Sequence, residues 1–244
     1  MGLEMSAPDS ERFGLGVARA TLVGGCDVDA LGEDARRLGA TLLIARAALA
    51  ERDSLAALEA RAGTPLDVLV HMETQLDAPH PALAAVPGQG EWREAGRGDS
   101  GAVADLARLA FADYCGHYHT DPRLPRDRCD EVYASWARAC CLDRQRADSV
   151  LLLVAGDGGT LGFCALRLVD PLTCEFGLSS IAPGARGRGH YRSLVALGLD
   201  WARARGARRW RSSTQLGNTR VMAAWQRYGF RETLREATFH WWLD

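Results

Sequence analysis

The sequence predicts an α/β fold built in two units, and three observations carry that prediction. Strand-like and helix-like runs alternate along most of the 244 residues. A turn of glycines and arginines, Ile181-Ala-Pro-Gly-Ala-Arg-Gly-Arg-Gly-His-Tyr191, joins one strand-like run to one helix-like run. The length, with 47% hydrophobic content, suits one full domain and a small partner, and is short for two ordinary domains.

The first unit, residues 1–76, reads as a strand over 13–23, a helix over 28–38, a strand over 41–47, a helix over 54–61 and a strand over 66–71. A proline- and glycine-bearing stretch without periodicity follows and reads as a linker, 77–90. The second unit, 91–244, opens on a short strand at 91–94. A helix then starts at the capping residue Asp99 or Ser100 and runs to Phe111. A loop over 113–125 leads to a helix over 126–141, and the runs 150–155 and 161–169 flank Gly156-Asp-Gly-Gly159 as a hairpin. A strand over 173–181, bounded by Pro171 and Pro183, enters the glycine turn. The helix after it, 191–204, places Leu194, Val195, Leu197, Leu199 and Trp201 at core-facing spacings. A strand over 208–213, a helix over 220–228 ended by Gly229-Phe230, and two closing strands complete the order.

The glycine turn is an anion site by construction. Without a Cβ on Gly187 and Gly189 the backbone approaches a phosphate closely, and the free N–H groups of the next helix's first turn point at it with the helix dipole behind them. Arg186 and Arg188 add charge. A P-loop needs Gly-Lys-Ser/Thr, and this chain contains no lysine. A dinucleotide fold needs a third glycine in an early βαβ unit, and Gly187-Arg188-Gly189 lacks it and comes late. The net charge of −2, from 29 basic residues that are all Arg against 31 acidic ones, provides no field for nucleic acid or anionic lipid. No run approaches the roughly 20 apolar residues of a membrane span, and Met1–Ser10 lacks the basic and apolar parts of a signal peptide. Seven cysteines, at 26, 115, 129, 140, 141, 164 and 174, form no Cys-x-x-Cys pair, so no metal and a reducing, cytoplasmic setting are expected.

Gly184-Ala-Arg-Gly-Arg-Gly189 resembles the Gln/Arg-x-x-Gly-x-Gly/Ala motif of the GCN5-related N-acetyltransferase (GNAT) superfamily, and Thr214-Gln-Leu-Gly-Asn-Thr219 followed by Gly229-Phe230 resembles its later segment. Glu11-Arg-Phe-Gly-Leu15, the helix Asp99–Phe111 and Thr214–Thr219 are similar to segments of the dTDP-fucosamine acetyltransferase family. The resemblance implies the GNAT fold, a mixed, mostly antiparallel sheet with helices on both faces, here preceded by a small truncated α/β domain. It implies acetyl-CoA as donor and acetylation of the amine of a dTDP-4-amino-4,6-dideoxyhexose by direct attack. Another small-molecule amine such as an aminoglycoside, a peptide amine, and a non-catalytic CoA-binding module are the alternatives, and a homodimer is possible.

The resemblance places the CoA arm on Ser180, Ile181, Arg186, Gly187, Arg188, Gly189, His190, Tyr191 and Asn218, with Asn218 or Thr219 also fitting a helix N-cap. Candidate bases are Glu175, His117, His119 and His240, since a histidine near pH 6.5 is matched to moving an amine proton. The superfamily's acceptor site, lined by the first interhelical loop and the last hairpin, favours His119 and His240 as catalytic residues. His117, Tyr118 and His119 are then expected to touch the acceptor. Glu175 has an alternative as an ion-pair partner of Arg167. Two departures stand out: Gly184 replaces the motif's first side chain, and Trp225 stands where the family has a tyrosine that protonates the thiolate. An indole N–H is no proton donor on that scale, and Tyr228 lies one helical turn further on.

Overall fold

The computed structural model describes residues 2–24, 26–78, 80–83 and 91–243. The first unit holds β1 (Gly2–Met5), α1 (Ala7–Phe13), β2 (Val17–Leu22), α2 (Val28–Arg37), β3 (Leu42–Ala48), α3 (Arg52–Ala62) and β4 (Asp67–Gln75). The second holds β5 (Glu91–Glu94), α4 (Ser100–Ala110), α5 (His117–Thr120), α6 (Arg126–Asp130), α7 (Val132–Leu142), β6 (Ser149–Val154), β7 (Thr160–Asp170), β8 (Thr173–Ile181), α8 (His190–Ala204), β9 (Arg209–Gln215), α9 (Thr219–Arg227) and β10 (Arg231–Trp242). Of the linker expected at 77–90, residues 79 and 84–90 lie outside the described residues.

Both units contribute to one ten-stranded sheet, in the order β1-β2-β3-β10-β4-β9-β8-β7-β6-β5. Among the described residues, β2–β3 and β8–β9 pair in parallel and the other ladders are antiparallel. The two closing strands expected after α9 are a single strand, β10, because nothing between Arg231 and Trp242 supplies a Gly, Pro or Asn at which to turn. A register shift between Glu232 and Leu234 is its only break. The place that a second closing strand would take beside β9 is filled by β4. The helix expected over 126–141 is divided at Glu131 into α6 and α7. The strand expected from Phe13 begins at Val17, since Pro8 near the start of α1 and left-handed Gly14 (φ 69°) at its end make 7–13 a helix.

Register sorts the side chains onto two faces. On one face α8 packs over Cys164, Cys174, Phe176, Val70 and Trp210, and α2 and α3 cover Ala45, Phe239 and Trp241. Trp210 is fully buried, and a Cβ on Gly198 of α8 would lie 2.3 Å from its ring, so a glycine is what lets helix and strand approach. At roughly 200 Å² and 25 cal/mol per Å², burial of that indole contributes at most about 5 kcal/mol. On the opposite face α4 and α7 cover Phe163, Ala165 and Leu178, while α5 to α7 cover Val17, Leu42 and Ile44. The polar positions on this second face, Asp67, Gln215, Thr238, His240 and Arg46, lie on the central strands β4, β9, β10 and β3.

Candidate active site

Strands β8 and β9 part company halfway along. Their parallel ladder joins Thr173–Phe176 to Arg209–Ser212 and then stops. Beyond it, the end of β8 pairs only with β7, and Ser213–Gln215 pair only with β4. Along β8 the step from Phe176 to Ser179 answers the step from Leu166 to Cys164, so β8 carries an extra residue, a bulge that bends the strand away from β9. The result is a wedge-shaped opening through the sheet, with unpaired backbone groups along its β8 side.

On the α8 face the opening ends at the glycine turn. Gly187 (φ 81°) and Gly189 (φ 83°) are left-handed, the conformation that glycine adopts without penalty. A Cβ at Gly184 or Gly187 would meet nothing within 4 Å, so the space in front of this backbone is open. Gly189 caps α8 with no side chain in the way, leaving the helix's first N–H groups to face that space. These features fit a diphosphate. Arg188 is exposed at the rim, whereas Arg186 is a strut: its guanidinium donates to the carbonyls of Ile181 (3.2 Å) and Ala110 (2.9 Å), tying the turn to α4. His190 is buried, and Ser180 Oγ is buried without a protein partner.

Deeper on the same face, the indole N–H of Trp225 donates to the Tyr191 hydroxyl at 2.9 Å. Burial raises the Tyr191 pKa, against hydrogen bonding to Ser179 and Trp225, so the phenol holds its proton at neutral pH. The hydroxyl oxygen accepts the indole N–H, so its own proton is directed to another partner, with Ser179 within hydrogen-bonding reach. Asn218 stands at the start of α9, but its side chain makes no cap bond; it donates to Thr214 Oγ1 at 2.9 Å on the β9 side of the opening.

On the other face three buried groups form a line. Asp121 Oδ2 lies 2.6 Å from His240 Nδ1, and His240 Nε2 lies 2.7 Å from His117 Nδ1. Asp121 also accepts from Trp242 Nε1 (3.0 Å) and from the Arg123 backbone N–H (2.9 Å). Burial would raise its pKa, but the bonds from His240, Arg123 and Trp242 outweigh it and hold the carboxyl below its ordinary value. Every neighbour of that carboxylate is a donor, and this orients the chain. His240 carries its proton on Nδ1 and offers a bare Nε2, His117 must then donate from Nδ1, and the bare lone pair emerges on Nε2 of His117. Burial first, then the charges around it, push the His117 pKa well down and keep it neutral. The His117 backbone N–H donates to Asp67 Oδ2 at 3.0 Å, and Gln215 Nε2 lies 3.5 Å from the same oxygen.

The candidates picked from the sequence separate here. His117 and His240 come together, joined by Asp121, which was not anticipated although it follows His117-Tyr-His-Thr directly. Tyr118 is buried against Phe13, its hydroxyl bonded to Asp9 (3.0 Å) and to Arg19, and so packs in the core. His119 turns away: Nδ1 accepts from the Gly116 N–H (3.3 Å) and Nε2 faces Asp130 (3.3 Å), so it closes its own turn and stands outside the line. Glu175 sits at the closed end of the opening, 3.6 Å from Arg211, which takes the place of the expected partner Arg167. Asp67, Gln215 and Arg46 were also missed, because no local motif marks them; register alone brings them to this face. A separate cavity of about 290 Å³, lined by Glu94, Arg97, Leu142 and Asp148 among others, lies at the β5–β6 edge and shares none of these residues. Among the described residues, no helix is long and apolar enough to cross a membrane, and no three His, Cys, Asp or Glu are placed to hold a metal ion.

Residues 109–230 match the model of the acetyltransferase (GNAT) family. The chain is 27% identical over 145 residues to the spore coat polysaccharide biosynthesis protein SpsD of Bacillus subtilis, covering 59% of this chain and 48% of that protein. It is 31% identical over 153 residues to the dTDP-fucosamine acetyltransferase of Escherichia coli O6:H1, covering 59% and 62%. Over 123 residues it is 32% identical to the aminoglycoside N(6')-acetyltransferase type 1 of Klebsiella aerogenes, covering 47% and 80%. The chain thus spans about half to under two thirds of the length of the first two relatives. In fold it is similar to a tandem GNAT protein from the clavulanic acid biosynthesis pathway, with a TM-score of 0.66, 18% identity, and coverage of 95% of this chain and 76% of that one.

Proposed function

The chain belongs to the acetyltransferase (GNAT) family, and from that premise we propose that it moves an acetyl group from acetyl-CoA to the amine of a nucleotide-linked 4-amino-4,6-dideoxy sugar by direct attack. One observation carries the reading: the opening between β8 and β9 leads from a diphosphate-shaped turn on one face of the sheet to a buried, oriented base on the other. The sugar class is supported by the dTDP-fucosamine acetyltransferase and the polysaccharide protein among the relatives. An aminoglycoside acceptor, after the Klebsiella relative, is the second reading and shares the donor site.

Acetyl-CoA supplies the activated carbonyl and a thiolate leaving group. The backbone of Gly187 to Gly189 and the first turn of α8 hold its diphosphate, and unpaired N–H groups on the open edge of β8 lie where a carbonyl oxygen gathers charge. Nε2 of His117 takes a proton from the acceptor's ammonium. The proton on its Nδ1 can pass to Nε2 of His240, leaving the positive charge beside Asp121. The Tyr191 O–H, whose oxygen accepts from Trp225, gives a proton to the thiolate; the second proton that the amine nitrogen sheds on becoming an amide passes to solvent, from which the tyrosine is reprotonated. Tyr191 thereby fills the role that the family gives to a tyrosine at position 225. The test is thiol release from acetyl-CoA with a panel of a dTDP-4-amino-4,6-dideoxyhexose, kanamycin and a peptide amine. Turnover on the nucleotide sugar supports the reading; acetyl-CoA binding with no turnover on any amine sinks it in favour of a non-catalytic module.

A further inference from the structure

We infer that Arg46 and Asp67, both from the strands that precede the family-matched segment, form a two-pole acceptor site in which Arg46 binds an anionic phosphate and Asp67, with Gln215, receives the ammonium. The inference rests on the acetyl-transfer reading above and narrows its acceptor to a zwitterion.

The two residues flank the same position of β10. Thr238 is the register partner of Arg46 on one side and of Asp67 on the other. Their Cα atoms therefore stand two strand spacings apart, about 10 Å, on the face that carries His240. Arg46 is half-buried, yet its one hydrogen bond is from Nε to Thr238 Oγ1 at 3.3 Å, and among the described residues no carboxylate pairs with it. Its cationic neighbour Arg19 is already committed to Asp9 at 2.7 Å, so Asp9 is not available to Arg46. Burial, and then the Arg19 charge, lower the Arg46 pKa, while Asp67 and Glu236 act the other way from a distance. The same two arginine charges act on His117, which puts them at the relay. A half-buried guanidinium with free donors calls for a phosphate or carboxylate.

At the other pole the deficiency is reversed. Asp67 Oδ1 and Gln215 Oε1 are both buried with no hydrogen-bond partner, while Asp67 Oδ2 is engaged with the His117 backbone. Two unsatisfied acceptors, one of them on a carboxylate, are completed by a group with several N–H donors and a positive charge. A primary ammonium is such a group, and Gln215 is the last residue of β9, at the mouth of the opening. A sugar that carries an amino group and a diphosphate brings both charges. A polycationic aminoglycoside matches only the Asp67 pole and meets Arg46 with repulsion.

The test separates the poles. dTDP, which has the diphosphate and no amine, is titrated calorimetrically into protein saturated with acetyl-CoA so that the glycine turn is occupied. Wild type is expected to bind dTDP, Arg46→Gln to bind it at least about tenfold more weakly, and Arg46→Lys to recover part of the loss. Asp67→Asn is expected not to weaken dTDP binding and to raise KM for a dTDP-4-amino-4,6-dideoxyhexose about tenfold or more. Unchanged dTDP affinity in a folded Arg46→Gln, or an unchanged KM in Asp67→Asn, overturns the inference. If acetyl-CoA fails to bind wild type, the acetyl-transfer reading falls by itself, and dTDP titrated into the protein alone still decides for or against Arg46.

Discussion

Asp121→Asn is the most revealing substitution, because it changes one atom and removes the negative charge at the end of the His117–His240 line. The carboxylate accepts from His240, Trp242 and the Arg123 backbone, and all three bonds need an oxygen. An amide has one. With that oxygen at the Oδ2 position the His240 and Trp242 bonds remain and the NH₂ group opposes the Arg123 N–H, while the negative charge that supports a proton on the His117–His240 pair is gone. General-base catalysis is worth about 10²–10⁴ in rate, roughly 3–5 kcal/mol of barrier, and that is the expected loss in kcat. The buried charge-assisted bonds add a stability cost of about 1.5–3 kcal/mol, or roughly 3–12 °C in Tm for a chain of this size. Asp121 is held below its ordinary 3.8 in the folded protein, so its stabilisation is complete above that value and fades as pH falls through the lower folded value. The Tm gap between wild type and variant should therefore close below about pH 4. The assay is thiol release at saturating acetyl-CoA, with thermal melts from pH 3 to pH 8. A folded variant whose kcat stays within about threefold of wild type would refute the relay.

Gly187→Glu should abolish acetyl-CoA binding by calorimetry while costing only about 1 kcal/mol in stability, since its side chain enters open space from a left-handed backbone and opposes a diphosphate; retained affinity would remove the glycine turn from the donor site. Tyr191→Phe should lower kcat at neutral pH roughly 10- to 100-fold with KM for acetyl-CoA little changed, and a wild-type kcat would return the thiolate's proton donor to the unknown. His119→Ala should keep kcat within about threefold, because its ring closes a turn and costs at most about 1 kcal/mol of stability when lost. A hundredfold loss would put His119 back among the catalytic residues.

The glycine turn, the strand before it and the helix after it were legible because they are local: periodicity, two prolines and paired glycines mark them without reference to the rest of the chain. His117 and His240 were legible as chemistry but not as neighbours. They lie 123 residues apart, and only the antiparallel register of β10 beside β3 brings His240 to the face that α5 covers. His119 looked equivalent to His117 in sequence, yet on a four-residue helix the two point to different sides, one into the core and one to Asp130. The closing hairpin was expected because the family pattern supplies one. The strand that lies beside β9 comes instead from residues 67–75, and a partner that distant leaves no local mark. Arg46 and Asp67 were invisible for the same reason: in sequence each is one charged residue at or within a strand, and their pairing across Thr238 is a property of the sheet.

The most direct test of the central claim is a crystal structure with CoA and the dTDP amino sugar bound. The diphosphate is expected against the backbone of Gly187 to Gly189, the sulfur between Tyr191 and the opening of β8 and β9, and the sugar amine on the opposite face beside His117 and Asp67. A CoA lying away from the glycine turn, or an amine entering from the α8 face, would contradict it.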